Sequence, residues 1–440
     1  MLEDTIIALS ATTPQAIAII RISGKAAKEI ANKVLKYTIT KQRVNTIKHN
    51  FVVEGKQLID EILVSYFKAP HSYTGEDMVE LNIHGGPYIA HKVISLLIAK
   101  GARQALPGEF TQRSYLNGKL DLTQAEAIND LVLANSEYNA TKAIASLSQA
   151  ISRMLQPLID EIHDLISHIE VNIDYPEYED VRDLSQKVIL PQLLKWLAVS
   201  EEIVEKSENS LLIKDGILTV IVGEPNVGKS SLLNALLQEN RALVSEIAGT
   251  TRDYIEAPII IDNLHLRLID TAGLRQEGDA LEKLGMEKTQ ELLKKAQLVI
   301  VVFDATKQRS QQELELLAKL QEKQHLVVFN KIDLNPKIKE GIKISAINQD
   351  IAELLTALRN KYETINLLDS ATLHSQRQLA LMKQATASLK SAVVALQENR
   401  ELELVAIDLQ TAYQSLCDIL GKYNRMDLLE SIFQNFCLGK

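Results

Sequence analysis

Apolar residues along the chain repeat with two different periods. Near the start, AIAIIRIS (16–23), FVVEG (51–55), EILVSYFKA (61–69) and MVELNIHGG (78–86) have the short, alternating or clustered character of strands. KAAKEIANKVL (25–35) and PYIAHKVISLLIAKGA (87–102) carry the three-and-four spacing of helices instead. The second opens on a proline and closes at a glycine, as helices prefer. Residues 1–118 therefore read as a small α+β domain. Beyond them the helical period takes over: Leu155, Leu158, Ile162, Leu165 and Ile169 form one stripe. Acidic DYPEYED (174–180) interrupts it, PQLLKWLAVSEEIVEKSE (191–208) resumes it, and the Ala-, Leu-, Gln- and Ser-rich end is helical again. Such stripes predict a helix-bundle core in two parts, 119–212 and 366–440. Between the parts, residues 213–365 alternate strands with helices. The strands are LTVIVG (218–223), HLRLID (265–270), LVIVVFD (298–304), HLVVFN (325–330) and IKISA (342–346). Alternation of this kind implies a mostly parallel sheet with ligands at the carboxyl ends of its strands.

Composition narrows the classes. The 440 residues suffice for two or three cores, and a formal net charge of −9 argues against the whole chain being a nucleic-acid clamp. Two cysteines, Cys417 and Cys437, exclude a disulfide framework or Cys-rich zinc site and suit a reducing cytoplasm. Glu3 and Asp4 stand where a signal peptide carries basic residues, and no uncharged apolar run is long enough for a membrane span. A cytoplasmic protein is expected.

The chemistry concentrates in the inserted domain. G-E-P-N-V-G-K-S-S (223–231) follows a strand and opens a helix, as a phosphate-binding loop must. Gly223 and Gly228 let the backbone of Asn226, Val227 and the residues after them wrap phosphates. Lys229 reaches the β- and γ-phosphates, while Ser230 and Ser231 open the helix and the Ser230 hydroxyl suits Mg²⁺. In D-T-A-G, Asp270 suits Mg²⁺ through water; Thr271 and Ala272 lead to Gly273, whose amide suits the γ-phosphate. In N-K-I-D, Asn330 supports the loop, the Lys331 stem covers a base plane, and the Asp333 carboxylate selects guanine's paired donors over adenine. Ser345 and Ala346 add a main-chain amide for the guanine oxygen. In the intervening S-E-I-A-G-T-T (245–251), Ser245, Glu246, Ile247, Ala248, Gly249 and Thr250 form a loop along the nucleotide. Thr251 is the switch hydroxyl for Mg²⁺ and the γ-phosphate. Four motifs in order, each at a strand end, imply a Ras-like α/β P-loop GTPase domain inserted into the helical domain.

Leu274 follows D-T-A-G, where Ras-like enzymes keep a water-orienting glutamine. A cation among oxygens of Asn226 and the 245–250 loop could offset charge at the β–γ bridge, although Asn226 after Pro225 reads equally as a turn former. Arg252 and Arg275 are rival positive groups. Glu282 is the next carboxylate able to orient water, with a solvated helix position as its alternative.

G-x-P-N-x-G-K-S-S-L-L-N, I-A-G-T-T-R-D and D-T-A-G-L-R resemble the MnmE (TrmE) family of tRNA modification GTPases. More specific are R-I-S-G (21–24), Y-T-G-E-D-M-V-E-L (73–81), H-G-G-P (84–87), P-G-E-F-T-Q-R-S-Y-L-N-G-K-L-D-L-T-Q-A-E-A-I (107–128) and F-C-L-G-K (436–440). The resemblance covers essentially the whole chain. It implies K⁺ on Asn226, Ser245, Ile247 and Thr250, and water orientation by Glu282. It also implies an N-terminal folate-binding and dimerisation domain, with 5-formyl- or 5,10-methylene-tetrahydrofolate held by Arg21, Glu80, Lys119 and Lys440. It further implies a homodimer that joins the FAD-dependent partner MnmG (GidA) in a heterotetramer, binds tRNA through that complex and builds a (carboxymethyl)aminomethyl group on C5 of wobble uridine. Family members carry P-P-G and further glycines before the first strand, whereas A-T-T-P-Q-A-I (11–17) is shorter and glycine-free. Cys437 is a candidate for the modification chemistry, with a packed thiol as the alternative. Two other classes fit the motifs: a ribosome-assembly GTPase acting as a binding switch, which would bring an RNA-binding module, and a folate-dependent transferase with a regulatory GTPase domain.

Overall fold

The computed structural model describes the chain except residues 1–3, 11–13, 40–45, 135, 175–187, 240–255, 262–263, 271–291, 322, 336–337, 339–340, 364–371, 423–431, 434–435, 437–438 and 440. It forms two compact units: Met1–Leu133 with Ala143–Ser200 and Ala380–Lys440, and Ala134–Lys142 with Glu201–Leu379.

The first unit contains a sheet in the order β3-β4-β5-β2-β1-β6, built from β1 (Ile6–Leu9), β2 (Ile17–Ser23), β3 (Ile47–Glu54), β4 (Gln57–Phe67), β5 (Met78–His84) and β6 (Arg103–Gln104). Its pairs are antiparallel except β1 with β6. Ile20, Ile22, Val64, Val79, Leu81 and Ile83 alternate onto one face and pack on α1 (Ala27–Asn32) and α2 (Pro87–Ala99). That alternation is what lets a sheet bury one face and leave the other polar. β1 and β6 were not separable from flanking sequence, being four and two residues long. The helix expected over 25–35 stops at Asn32, because Leu35 bridges to Val52 and the Val53 amide donates to the Val34 carbonyl. Helices α3 (Glu109–Leu116), α4 (Leu122–Leu133), α5 (Glu137–Leu147), α6 (Ala150–Asp174) and α7 (Leu190–Asp215) follow. The Leu155-to-Ile169 stripe of α6 is buried throughout. Each such side chain contributes about 1.5–3 kcal/mol.

The second unit holds the sheet β12-β11-β10-β7-β9-β8, from β7 (Ile217–Val222), β8 (Glu256–Ile261), β9 (Leu264–Asp270), β10 (Leu298–Asp304), β11 (His325–Asn330) and β12 (Ile342–Lys343). All pairs are parallel except β8 with β9. The strand expected over 342–346 stops at Lys343, where Ser345 turns back to pair with Asp350. β10 is buried at every residue, as a central strand covered on both faces must be. The helices are α8 (Lys229–Glu239), α9 (Gln311–Lys319) and α10 (Ala352–Glu363). A capping box starts α9: Ser310 accepts from the Glu313 amide, and Glu313 accepts from the Ser310 amide. The remaining helices belong to the first unit: α11 (Gln376–Gln397), which enters it at Ala380, and α12 (Leu402–Leu420), which packs on α6 of that same unit. From β7 the chain runs to β8 and β9 on one side and then to β10, β11 and β12 on the other. The carboxyl end of β7 is therefore a topological switch point, where such sheets bind ligands.

Candidate functional site

The loop after β7 lies at that switch point. A Cβ on Gly223 would stand 2.3 Å from the Val302 carbonyl oxygen, and one on Gly228 only 2.1 Å from Asn330 Nδ2. Both glycines have positive φ, 154° and 99°. No other residue allows so tight a loop. Asn226 also sits left-handed, at φ 65°.

β11 secures the loop from beside it. Asn330, 3% exposed, donates from Nδ2 to the Val227 carbonyl at 2.9 Å and accepts on Oδ1 from the Ala346 amide at 2.9 Å. One buried amide thus joins the P-loop to the Ser345–Ala346 turn. Lys331 Nζ donates to the Asn226 carbonyl at 2.8 Å and to Asp304 Oδ2 at 2.7 Å. Ser345 Oγ donates to Asp333 Oδ1 at 2.6 Å and fixes that carboxylate at the rim. Lys229 Nζ folds over the loop, donating to the carbonyls of Gly223 at 3.0 Å and Glu224 at 2.8 Å. A cavity of about 520 Å³ results, lined by Asn226, Lys229, Ser230 and Ser231 at one end and by Lys331, Asp333 and Leu334 at the other.

Two supports were missed in the sequence. Asp304 ends β10, accepting from Thr306 N at 2.9 Å and Thr306 Oγ1 at 2.6 Å as well as from Lys331. Burial opposes its charge, but Lys331 and the two Thr306 donors outweigh that and hold the carboxyl at about 2. Ser310 donates to Glu224 of the P-loop. A carboxylate closing an all-apolar strand, and the S-x-x-E spacing of a capping box, are the signals that point to them.

Ser245, Glu246, Ile247, Ala248, Gly249, Thr250 and Thr251 lie outside the described residues, as do Thr271, Ala272, Gly273 and Glu282. Of Asp270 only its place at the end of β9 is described.

A second polar centre belongs to the other unit. Arg21 and Glu80 stand directly opposite on β2 and β5, with Nε at 3.0 Å and Nη2 at 2.9 Å from Glu80 Oε1. Arg21 Nη1 donates to the Gly439 carbonyl at 3.2 Å, which brings the end of the chain to this pair. The guanidinium carbon lies 5.4 Å from the Tyr73 ring centroid and 5.7 Å from that of Phe110, within cation–π range. Burial pushes the Tyr73 phenol up, against the Thr111 hydrogen bond and the Arg21 charge. Lys119 is exposed; its Nζ donates to the Pro70 carbonyl at 3.2 Å, so it lies along the loop leading to Tyr73. Lys440 and Cys437 lie outside the described residues.

Beneath this pair is a buried ion network. Arg113, 1% exposed, bonds Glu109 at 3.0 Å, Glu76 at 3.1 Å and the Asp4 carbonyl at 2.8 Å. Glu109 also accepts from Arg103 at 2.7 Å and from the Leu106 amide at 2.9 Å. Burial raises the Glu109 carboxyl, but Arg103, the Leu106 amide and Arg113 together carry it below its ordinary value.

Residues 122–437 match the family described as MnmE helical domain, and residues 5–119 that described as GTP-binding protein TrmE N-terminus. The chain is similar to the tRNA modification GTPase MnmE of Mycoplasmopsis pulmonis, 38% identical over 442 residues that cover 99% of this chain and 100% of that one. The protein of the same description from Clostridioides difficile is 37% identical over 460 residues, covering 100% of both. That of Acholeplasma laidlawii is 39% identical over 431 residues, covering 96% of each.

Proposed function

The chain belongs to the MnmE family of tRNA modification GTPases, and from that premise we propose a K⁺-stimulated GTPase that drives C5 modification of the tRNA wobble uridine. In this reading it acts in the cytoplasm as a homodimer with the FAD-dependent partner MnmG, which supplies much of the tRNA-binding surface that a chain of charge −9 lacks. No helix among the described residues is long and apolar enough to cross a membrane. A reduced folate provides the carbon unit. The observation that carries the proposal is the cavity in which one strand end, Asn330 to Asp333, grips the phosphate loop directly.

The residues fit the nucleotide. Asp333, held by Ser345, supplies the carboxylate for guanine, and the Lys229 ammonium exchanges its loop carbonyls for phosphate oxygens. In hydrolysis, water adds to the γ-phosphorus, the bond to the β–γ bridging oxygen breaks, and GDP leaves with that electron pair. Mg²⁺ suits the site because it takes most of its ligands from phosphates and water. No cluster of three or more acidic, His or Cys ligands is found among the described residues, and the Ser230 hydroxyl lines the cavity. Asn226 likewise fits a K⁺ role, since its main chain is fixed by Lys331 and it lines the same cavity. A monovalent cation there supplies positive charge where an arginine finger would be worth about 10³–10⁵ in rate. Thr251, Ser245, Ile247, Thr250 and Glu282 complete the proposed set.

The Arg21–Glu80 pair fits a folate. It offers a carboxylate for the pterin's donors and a cation for the acidic tail, with Lys119 and Lys440 as further cations. Hydrolysis is expected to be at least about tenfold faster in K⁺ than in Na⁺, a difference of roughly 1.4 kcal/mol. Equal rates would reject the cation role. Mass analysis of wobble uridines from cells lacking the chain tests the modification role; unaltered nucleosides would reject it.

A further inference from the structure

Lys331 is the middle of a three-part chain. Its Nζ joins Asp304 Oδ2 at 2.7 Å to the Asn226 carbonyl at 2.8 Å, so one ammonium ties the end of β10 to the P-loop. Lys331 holds this pose from a left-handed backbone, φ 67°, and Asn226 meets it from another, φ 65°. Two adjacent strand ends and a strained loop residue thus share one point of charge. Asp304 itself is buried and cannot turn away, because Thr306 fills Oδ1 with two donors and leaves Oδ2 for the lysine.

A lysine with a long, rotatable stem has many places to put its charge. With Asp304 present, the ammonium is anchored over the cavity's inner wall, its stem is aligned beside the base position and one donor remains aimed at Asn226. We propose that Asp304 is a positioning residue for the GTPase reaction: through Lys331 it fixes the Asn226 main chain, and so couples guanine recognition to the shape of the phosphate loop. The cation-dependent part of the inference rests on the reading of Asn226 as a K⁺ residue; the nucleotide-affinity part does not.

The near-isosteric Asp304→Asn removes the charge and keeps the volume. The full chain carrying it should release a fluorescent GDP analogue about ten- to a hundredfold faster, the range for one charge-assisted hydrogen bond. Lys331→Met should do the same, and Asp304→Asn added to Lys331→Met should change release by less than about twofold, since the first acts through the second. Thr306→Val removes one of the two donors on Asp304 Oδ1 and keeps the Thr306 amide on it, so release should quicken clearly less than in Asp304→Asn. Circular dichroism melting of each variant identifies any that is unfolded, and Asp304→Glu then replaces Asp304→Asn, with partial rescue of release expected. Multiplicative losses in the double variant, a Thr306→Val effect equal to that of Asp304→Asn, or unchanged release in Asp304→Asn overturns the proposal. The K⁺ concentration for half-maximal hydrolysis should also rise at least about threefold in Asp304→Asn, against little change in the rate at saturating K⁺, within the effect of one such bond. If the wild type hydrolyses equally in K⁺ and Na⁺, the K⁺ reading fails alone and the release cycle still decides the role of Asp304.

Discussion

Gly228→Ala adds one methyl group to the phosphate loop, and its cost follows from two contacts. The new Cβ would lie 2.1 Å from Asn330 Nδ2, well inside any tolerable approach, and φ at this position is 99°. Backbone strain in that region is about 1–3 kcal/mol. Relief of the clash requires the Asn330 amide to swing away, which breaks its bonds to Val227 O and Ala346 N, each 2.9 Å long. At a net 0.5–1.5 kcal/mol apiece these add about 1–3 kcal/mol. In the nucleotide-free protein the loop escapes by relaxing out of the cradle. Binding must then restore the cradle, so about 2 kcal/mol or more comes out of affinity, roughly thirtyfold in Kd. Calorimetric titration of GDP into Gly228→Ala measures it. The clash runs through Asn330, so in an Asn330→Ala background the same glycine substitution should cost only its backbone strain. A change in Kd below about threefold, or a penalty undiminished in that background, would refute the reasoning.

The other expectations concern stability. Arg113→Met takes away the cation that Glu109 and Glu76 share, leaving Glu109 to Arg103 and Glu76 to the Ser23 hydroxyl, and should destabilise the first unit by about 2–4 kcal/mol in urea unfolding; a loss under about 1 kcal/mol would show that the network is solvated. The folded Glu109 carboxyl lies below its ordinary value, so its contribution is present above the unfolded carboxyl range and lost as pH falls below it. Acid sensitivity should therefore shrink in Arg113→Met. In the second unit, burial first, then the Lys142 and Lys214 charges, push the His374 imidazole down to about 3. It is neutral when folded, so stability is complete above the unfolded value of 6.5 and declines as pH falls from there towards 3. Wild type should lose up to about 1.4 kcal/mol per pH unit below that value, and His374→Gln should lack this component. Parallel slopes between about pH 7 and pH 5 in the two proteins would exclude His374 as the source.

The strands of the second unit were legible because a covered parallel sheet writes itself as unbroken apolar runs. β10 is buried at all seven positions, and its sequence LVIVVFD leaves little else to be. β8 was not, since EAPIII carries a proline and lies at the sheet edge, where pairing is one-sided and the apolar signal weak. The phosphate and base motifs were legible for the same reason as β10: each occupies a strand end whose chemistry admits few residue types. Their mutual grip was not. Nothing in N-K-I-D shows that Asn330 reaches Val227 or that Lys331 reaches Asn226, because those contacts cross more than a hundred residues of chain.

The N-terminal motifs make the opposite case. Y-T-G-E-D and P-G-E-F-T-Q-R are among the stretches that carry the family resemblance, yet Glu76, Glu109 and Arg113 in them spend their charge on one another. Arg113 is too deeply buried to meet a ligand, and a buried cation of that size persists only with nearly all its donors matched. What the network does is hold the loop that carries Tyr73 and the first turn of α3 that carries Phe110, the two rings that flank Arg21. Ser23 extends it to β2, bonding Thr74 at 2.7 Å and Glu76 at 2.8 Å two residues from Arg21 itself. Much of the motif is thus scaffold for one half-buried ion pair, Arg21 with Glu80. A substitution such as Glu109→Gln should accordingly disturb the Arg21 site through the position of Phe110, with no contact to any ligand of its own.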